Sequence, residues 1–273
     1  MKIPLRNRLF TLCADDFGQS EAINQGILRL LELHRLGAVS VMSQGPTWVS
    51  GASALHDHAG TADIGLHLNL THRFDQANFA RPLSAWLLTA PIGWIDSVAV
   101  RDSFRQQIDL FVKQLGRLPD YLDGHQHVHA FAGIRRVLLE VIADYWRGKS
   151  APWIRAPDQL LDDGGVPLKS WVLRSATHGF TAALKSAGLP HSAGFAGVYS
   201  LTADANFAQL MQSWLWQLPA NTLIMVHPAE HGTDTRDPIR AARVIELEYL
   251  RSPAFMQQLQ SADVTLARLV ATH

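Results

Sequence analysis

A single cysteine, Cys13, stands in a chain of 273 residues. One thiol can close no internal disulfide and build no thiolate zinc knuckle, so neither framework holds this fold. A surplus of one charge is missing too: 24 basic and 24 acidic side chains leave a net charge of zero. Without a basic excess there is no electrostatic footprint for nucleic acid or for an anionic membrane. No apolar run reaches the roughly 18 residues of a membrane span. The charges in Met1 to Arg8 are not followed by an apolar stretch of signal-peptide length, so the expected location is the cytoplasm. What remains is 47% hydrophobic and 18% charged, the composition of a soluble globular protein. The length is ample for a full core, and one domain over residues 1–273 is expected.

The organising stretch is Tyr121 to His129, in which Asp123, His125, His127 and His129 recur with a spacing of two. In an extended strand such residues share one face, and the spacing predicts a polar row there, with Leu122 and Val128 turned away. Buried imidazoles are costly unless something uses their nitrogens. A divalent metal is the natural user, since neutral imidazole is a preferred ligand.

Around this stretch the pattern alternates. Leu9–Cys13 reads as a buried strand, then a helix runs from an N-cap at Ser20 to a stop at Gly37. Strands follow at Ala38–Ser43 and Asp63–Leu70, with a weak helix at Val49–His56 between them. Phe74–Ile95 reads as a long connection with a short helix, and Ser97–Leu115 as an amphipathic helix with Phe104, Ile108 and Phe111 inside. A helix over Ile134–Tyr145, strands at Trp153–Pro157 and Thr222–Val226, a last helix over Arg240–Leu250 and a strand at Val264–Leu266 complete the series. Residues 158–198 resolve only as one or two helices over a loop. Strand–helix alternation predicts an α/β fold with parallel strands and outer helices. In such folds the working residues sit where strands end. Here the strand ends carry Asp15 and Asp16, His67 and Asn69, His125 and His127, Arg155 and His227.

Adjacent Asp15 and Asp16 suit a division of labour in which one carboxylate binds a metal and the other takes a proton; one of them could equally cap the following helix. Asp16, His67 and His125 together make a carboxylate plus two-imidazole set, and three protein ligands with open positions mark a catalytic rather than a structural metal. Asp15 could then accept a proton from water and His227 protonate a leaving group. Arg155 could keep Asp15 ionised or hold a substrate anion. His127 and Asn69 join Arg155 as candidates for substrate binding or for orienting ligands.

Four segments carry a resemblance: Ala14-Asp15-Asp16-Phe17-Gly18, Gly65-Leu66-His67-Leu68-Asn69-Leu70-Thr71, Leu122-Asp123-Gly124-His125-Gln126-His127-Val128-His129, and His227-Pro228. In this order they resemble the YdjC-type carbohydrate deacetylases, across nearly the whole chain. The resemblance implies an irregular (β/α) barrel of about seven parallel strands, with Asp16, His67 and His125 as metal ligands, Asp15 as general base and His227 as general acid. It implies removal of an N-acetyl group from an amino sugar, with magnesium as the metal; the ligand types by themselves also suit zinc or another transition metal. Ala14 and Gly124 stand where the family commonly has Asn and Ser. A small carbohydrate is the implied partner, and homo-oligomerisation stays open. Two rivals remain: a metal-dependent phosphoesterase, which needs two metals and more bridging carboxylates, and a non-catalytic sugar- or metal-binding protein on the same barrel.

Overall fold

The structure, a computed structural model, describes residues 7–74, 79–232 and 236–273. Residues 1–6, on which the leader reading rests, and residues 75–78 of the irregular connection lie outside the described residues. In chain order the elements are β1 (Arg8–Phe17), α1 (Glu21–Glu32), β2 (Ala38–Val41), α2 (Trp48–His56), β3 (Asp63–Leu68), α3 (Leu83–Thr89), α4 (Ser97–Leu115), β4 (Tyr121–Gly124) and α5 (Ala132–Tyr145). They continue with β5 (Trp153–Ile154), α6 (Pro167–Thr177), α7 (Phe180–Ser186), β6 (Gly194–Ala196), α8 (Phe207–Gln217), β7 (Thr222–Val226), α9 (Arg240–Arg251), α10 (Pro253–Ser261) and β8 (Val264–Leu266). The strand order is β5-β4-β3-β2-β1-β7-β6, every pairing is parallel, and β8 pairs with the first residues of β1. The seven strands curl into an irregular half-barrel with helices outside, as expected. Between its ends run the parallel bridges Ile154–His191 and Leu160–Phe195. No helix among the described residues is long and apolar enough to cross a membrane.

The two-residue period of the strands sorts side chains into two cores. Leu12 and Ala14, Val39 and Val41, Leu66 and Leu68, Ile224 and Val226 face outward into the apolar layer shared with the helices. Cys13, Ala38, Tyr121, Phe195, Leu223 and Met225 face inward and form a second, smaller cluster. Tyr121 lies across the interior and stacks on Trp153 with ring centroids 3.9 Å apart. Position 65 must be glycine for this, because a Cβ there would come within 2.4 Å of the Tyr121 ring. Continuing the inward rows by two residues toward the strand ends places Asp15, Ser40, His67, Asp123, Arg155 and His227 around one rim.

The helices follow their local signals. Ser20 caps α1 by accepting from the Ile23 N–H, and Asp96 caps α4 by accepting from the Ala99 N–H. Phe104, Ile108 and Phe111 are all fully buried.

The expected strand through His129 is corrected. β4 ends at Gly124, and His125–Ala130 form a short 3-10 segment in which Gln126 and His127 have φ of 53° and 61°. Left-handed backbone cannot continue a pleat, so the histidines do not share a face. The expected third strand stops at Leu68, short of Leu70. Residues 158–198 hold α6, α7 and the short strand β6, and the tail of the chain holds two helices, divided at Ser252-Pro253. α8 was not anticipated.

Candidate active site

Asp15 continues the inward row of β1, whereas its neighbour should point outward. The register between β1 and β2 shifts between Ala14 and Phe17, and Asp16 has a φ of 74°. Such a bulge re-aims a side chain at a strand end, and here it turns both carboxylates to the same rim. Each is buried, with about 1% exposure.

Asp16 Oδ1 lies 3.5 Å from His67 Nε2 and 3.3 Å from His125 Nδ1. These three ligand atoms are mutually within 4.8 Å, yet Asp16 Oδ1 has no hydrogen-bond partner. Its other oxygen accepts from Arg243 at 2.7 Å. Burial opposes ionisation of Asp16, but Arg243 and the two imidazoles outweigh it and hold the carboxyl well below the usual range. His67 Nδ1 sits 2.7 Å from Asp123 Oδ1, and that contact fixes the tautomer that turns a lone pair on Nε2 toward Asp16. Burial lowers the His67 pKa, but Asp123, Asp15 and Asp16 together push it up to about 9. The surplus of negative charge that raises it would attract a cation as readily as a proton.

Beneath this group Arg155 bridges two acids. It donates to both oxygens of Asp15 at 2.6 and 2.7 Å and lies 2.6 Å from Asp123 Oδ2. Bidentate geometry of this kind is the strong form of an ion pair. Burial would raise the Asp15 pKa, but the guanidinium wins and holds the carboxyl far below its ordinary value. Ser40 donates to Asp123 Oδ2 at 2.6 Å, and the Tyr121 hydroxyl lies 2.7 Å from Ser40 Oγ. Cys13 also touches Arg155 Nη2, at 2.9 Å, and burial pushes its thiol up to about 12.

The remaining candidates separate. His127 lies on the cavity wall, edge-on to Phe195 at 5.2 Å, and burial reinforced by Arg155 holds it neutral. His129 turns beneath the rim and donates through Nε2 to the Arg155 carbonyl at 2.9 Å. Gly124 permits that approach, since a Cβ would fall 2.9 Å from His129 Nδ1. His227 follows β7, next to β1; its backbone N–H donates to Glu246, and its Nδ1 stands 3.8 Å from Glu246 Oε1. Tyr199 anchors the same Glu246 oxygen at 2.7 Å. Asn69 accepts from the Thr71 and His72 N–H groups and donates to the His72 carbonyl, which makes it the pin of the turn after β3.

Asp15, Asp16, His67, His125, His127 and His227 thus converge on one cavity of about 500 Å³. Arg243 and Glu246, three apart on α9, are site residues the sequence did not reveal. An Arg-x-x-Glu pair on a charged helix reads as a solvated face; only the fold shows both buried.

A family model described as YdjC-like protein matches residues 9–261. Over 145 residues the chain is 30% identical to a human carbohydrate deacetylase, covering 48% of this chain and 44% of the relative. A chitooligosaccharide deacetylase of Serratia marcescens is 29% identical over 129 residues, 45% of this chain and 51% of the relative. The matches span about half the length of these curated relatives. Among solved structures, an Enterococcus faecalis protein provisionally described as a cellobiose-phosphate cleavage protein superposes with a TM-score of 0.69 at 19% identity, over 96% of this chain and 97% of that one. That likeness shows the fold.

Proposed function

We propose, on the premise that the chain belongs to the YdjC-like protein family, that it is a metal-dependent hydrolase removing the N-acetyl group from an amino sugar. The substrate class is an N-acetylglucosamine-containing oligosaccharide or glycolipid, in keeping with the carbohydrate and chitooligosaccharide deacetylases it resembles. The observation that carries the reading is Asp16 Oδ1, a buried oxygen without a hydrogen-bond partner, flanked by two imidazole nitrogens and adjacent to a second, paired carboxylate.

Asp16, His67 and His125 fit a divalent cation: two imidazole nitrogens and one carboxylate oxygen converge within 4.8 Å of one another. The set suits zinc and other transition metals by ligand type, and magnesium by family. Such an ion supplies Lewis acidity, easing deprotonation of water and polarising a carbonyl. The chain does the rest. Asp15, ionised and fixed in orientation by Arg155, takes a proton from the attacking water as its oxygen adds to the acetyl carbon. As the C–N bond breaks, His227 donates a proton to the departing amine, with Glu246 behind it to balance the imidazolium. Acetate and a free amino sugar result. Arg155 holds Asp15 and Asp123 in register, so base and ligand geometry are set by one guanidinium.

A two-metal phosphoesterase finds less support. Cys13, Asp15 and Asp123 form the other cluster among the described residues, and Arg155 already occupies it. A non-catalytic binding protein would have no use for Asp15 and His227 on the wall of the same cavity. Acetate release from N-acetylglucosamine oligosaccharides, before and after chelation, tests the proposal. Chelator-sensitive release is expected; metal bound at one per chain with no acetate from any such sugar would leave only the binding-protein reading.

A further inference from the structure

Several buried polar atoms of residues that line the cavity lack a hydrogen-bond partner, and the proposed reaction uses only some of them. Asp16 Oδ1 and His227 Nδ1 have roles in it. Arg243 Nη1 and Gln19 Oε1 do not, although both residues line the cavity and both atoms are buried. A buried guanidinium N–H with nothing to donate to is destabilising, a penalty that a ligand oxygen placed there would remove. Arg243 is only 2% exposed, and its backbone position on α9 is fixed by the helix.

The nature of that oxygen follows from the charges around it. Arg243 donates through Nη2 to Asp16 and through Nε to Asp237, each at 2.7 Å. Two carboxylates already match its single charge, so an anion at Nη1 would face both of them at short range in a poorly screened cavity. The wider balance agrees. Asp15, Asp16, Asp123, Asp237 and Glu246 against Arg155 and Arg243 leave three negative charges, more than one divalent cation cancels. The other cation on the wall, Lys169, donates to the Tyr199 carbonyl at 2.9 Å, with its residue exposed.

We propose that Arg243 Nη1 and the Gln19 amide are substrate-orienting groups that hold uncharged sugar oxygens, and that the site therefore selects a neutral amino sugar over its phosphate ester. This rests on the deacetylase reading of the same cavity but concerns recognition rather than chemistry. It assigns the substrate to the unphosphorylated class, with hydroxyl oxygens meeting the wall that α9 and the turn after β1 provide.

The test is calorimetric binding of N,N′-diacetylchitobiose and of its 6-phosphate to the wild-type protein in chelator, followed by steady-state kinetics on both sugars with metal restored. The neutral sugar should bind at least tenfold more tightly, and its kcat/KM should exceed that of the phosphate by a similar factor through KM. Gln19→Leu, which breaks no ion pair, should weaken binding of the neutral sugar several-fold and raise KM more than it lowers kcat. Arg243→Met should weaken binding tenfold or more; if that variant does not fold, the wild-type comparison and Gln19→Leu decide. Equal or tighter binding of the phosphate, or unchanged binding of the neutral sugar in Gln19→Leu, overturns the proposal. Preferential binding of the neutral sugar with no acetate released would sink the deacetylase reading and leave this one standing; acetate released preferentially from the phosphate would do the reverse.

Discussion

The rim of the half-barrel and the layer just beneath it use similar residues in opposite ways. Below, Asp15, Asp123, Arg155, Ser40, Tyr121 and Cys13 are knitted together, and the atoms left over, Arg155 Nε and the neighbouring His129 Nδ1, belong to groups that are otherwise bonded. Above, Asp16 Oδ1, His127 Nδ1, His227 Nδ1 and Arg243 Nη1 have no hydrogen-bond partner. Buried polar groups are as a rule satisfied, so the contrast divides labour between the layers. The lower network sets positions and ionisation states; the upper one is left to be completed by ligands. A protein that only needed stability would have satisfied both, or filled both with apolar side chains.

Breaking the lower layer should therefore have the largest effect. Arg155→Met removes the charge shared by Asp15 and Asp123 and leaves two buried carboxylates without it. A loss of about 3–5 kcal/mol in stability is expected, read as a shift in the urea midpoint, together with loss of activity. A midpoint within error of the wild type would refute the idea that this guanidinium holds the layer. Asp15→Asn is milder for the fold, because an amide still accepts from Arg155. It should lower kcat by roughly 10²–10⁴, the usual worth of a general base, while metal stoichiometry stays at the wild-type value. Near-normal turnover would remove Asp15 from the mechanism.

How much of this was readable from sequence follows the same division. The inward row was legible because a two-residue period is a local property: Asp15, His67, Asp123 and His227 each follow a recognisable strand. α4 was legible to the residue, since its cap at Asp96 and its apolar stripe agree. The histidine segment misled because its spacing of two mimics a strand, whereas the left-handed backbone at Gln126 and His127 leaves no mark in the side-chain pattern. β6 is too short to show a period. α8 did carry a signal, an Asn206 cap followed by Phe207, Met211, Trp214 and Leu215, and went unread beside the stronger text around it. The partners of the site on α9 were out of reach, because Arg243 and Glu246 meet Asp16 and His227 only through tertiary packing.

Two smaller effects sharpen the contrast. His129 belongs to the lower layer: burial, only partly offset by its bond to the Arg155 carbonyl, lowers its pKa from 6.5 to about 4. Between those values the unfolded chain binds the proton and the folded protein does not, so stability present above pH 6.5 is lost as pH falls through 4. The loss from this residue should approach roughly 3 kcal/mol, at 1.36 kcal/mol per unit. His129→Gln keeps an N–H for the carbonyl but cannot titrate. Its stability should fall less steeply over the same window in urea titrations, and an unchanged slope would assign the acid sensitivity elsewhere.

Glu246 stands at the boundary of the two layers. Its oxygens are engaged below by Tyr199 and the His227 N–H, while the His227 ring beside it reaches into the cavity. Glu246→Gln preserves the shape and the acceptor for the backbone N–H, yet withdraws the negative charge that stands 3.8 Å from His227 Nδ1. Turnover should drop roughly tenfold, well inside the 10²–10⁴ that a positioned general acid supplies. The urea midpoint separates this from a packing defect, which would lower stability along with rate. A lowered kcat with an unchanged midpoint identifies Glu246 as the group that supports His227 in the reaction, and an unchanged kcat assigns it to the scaffold alone.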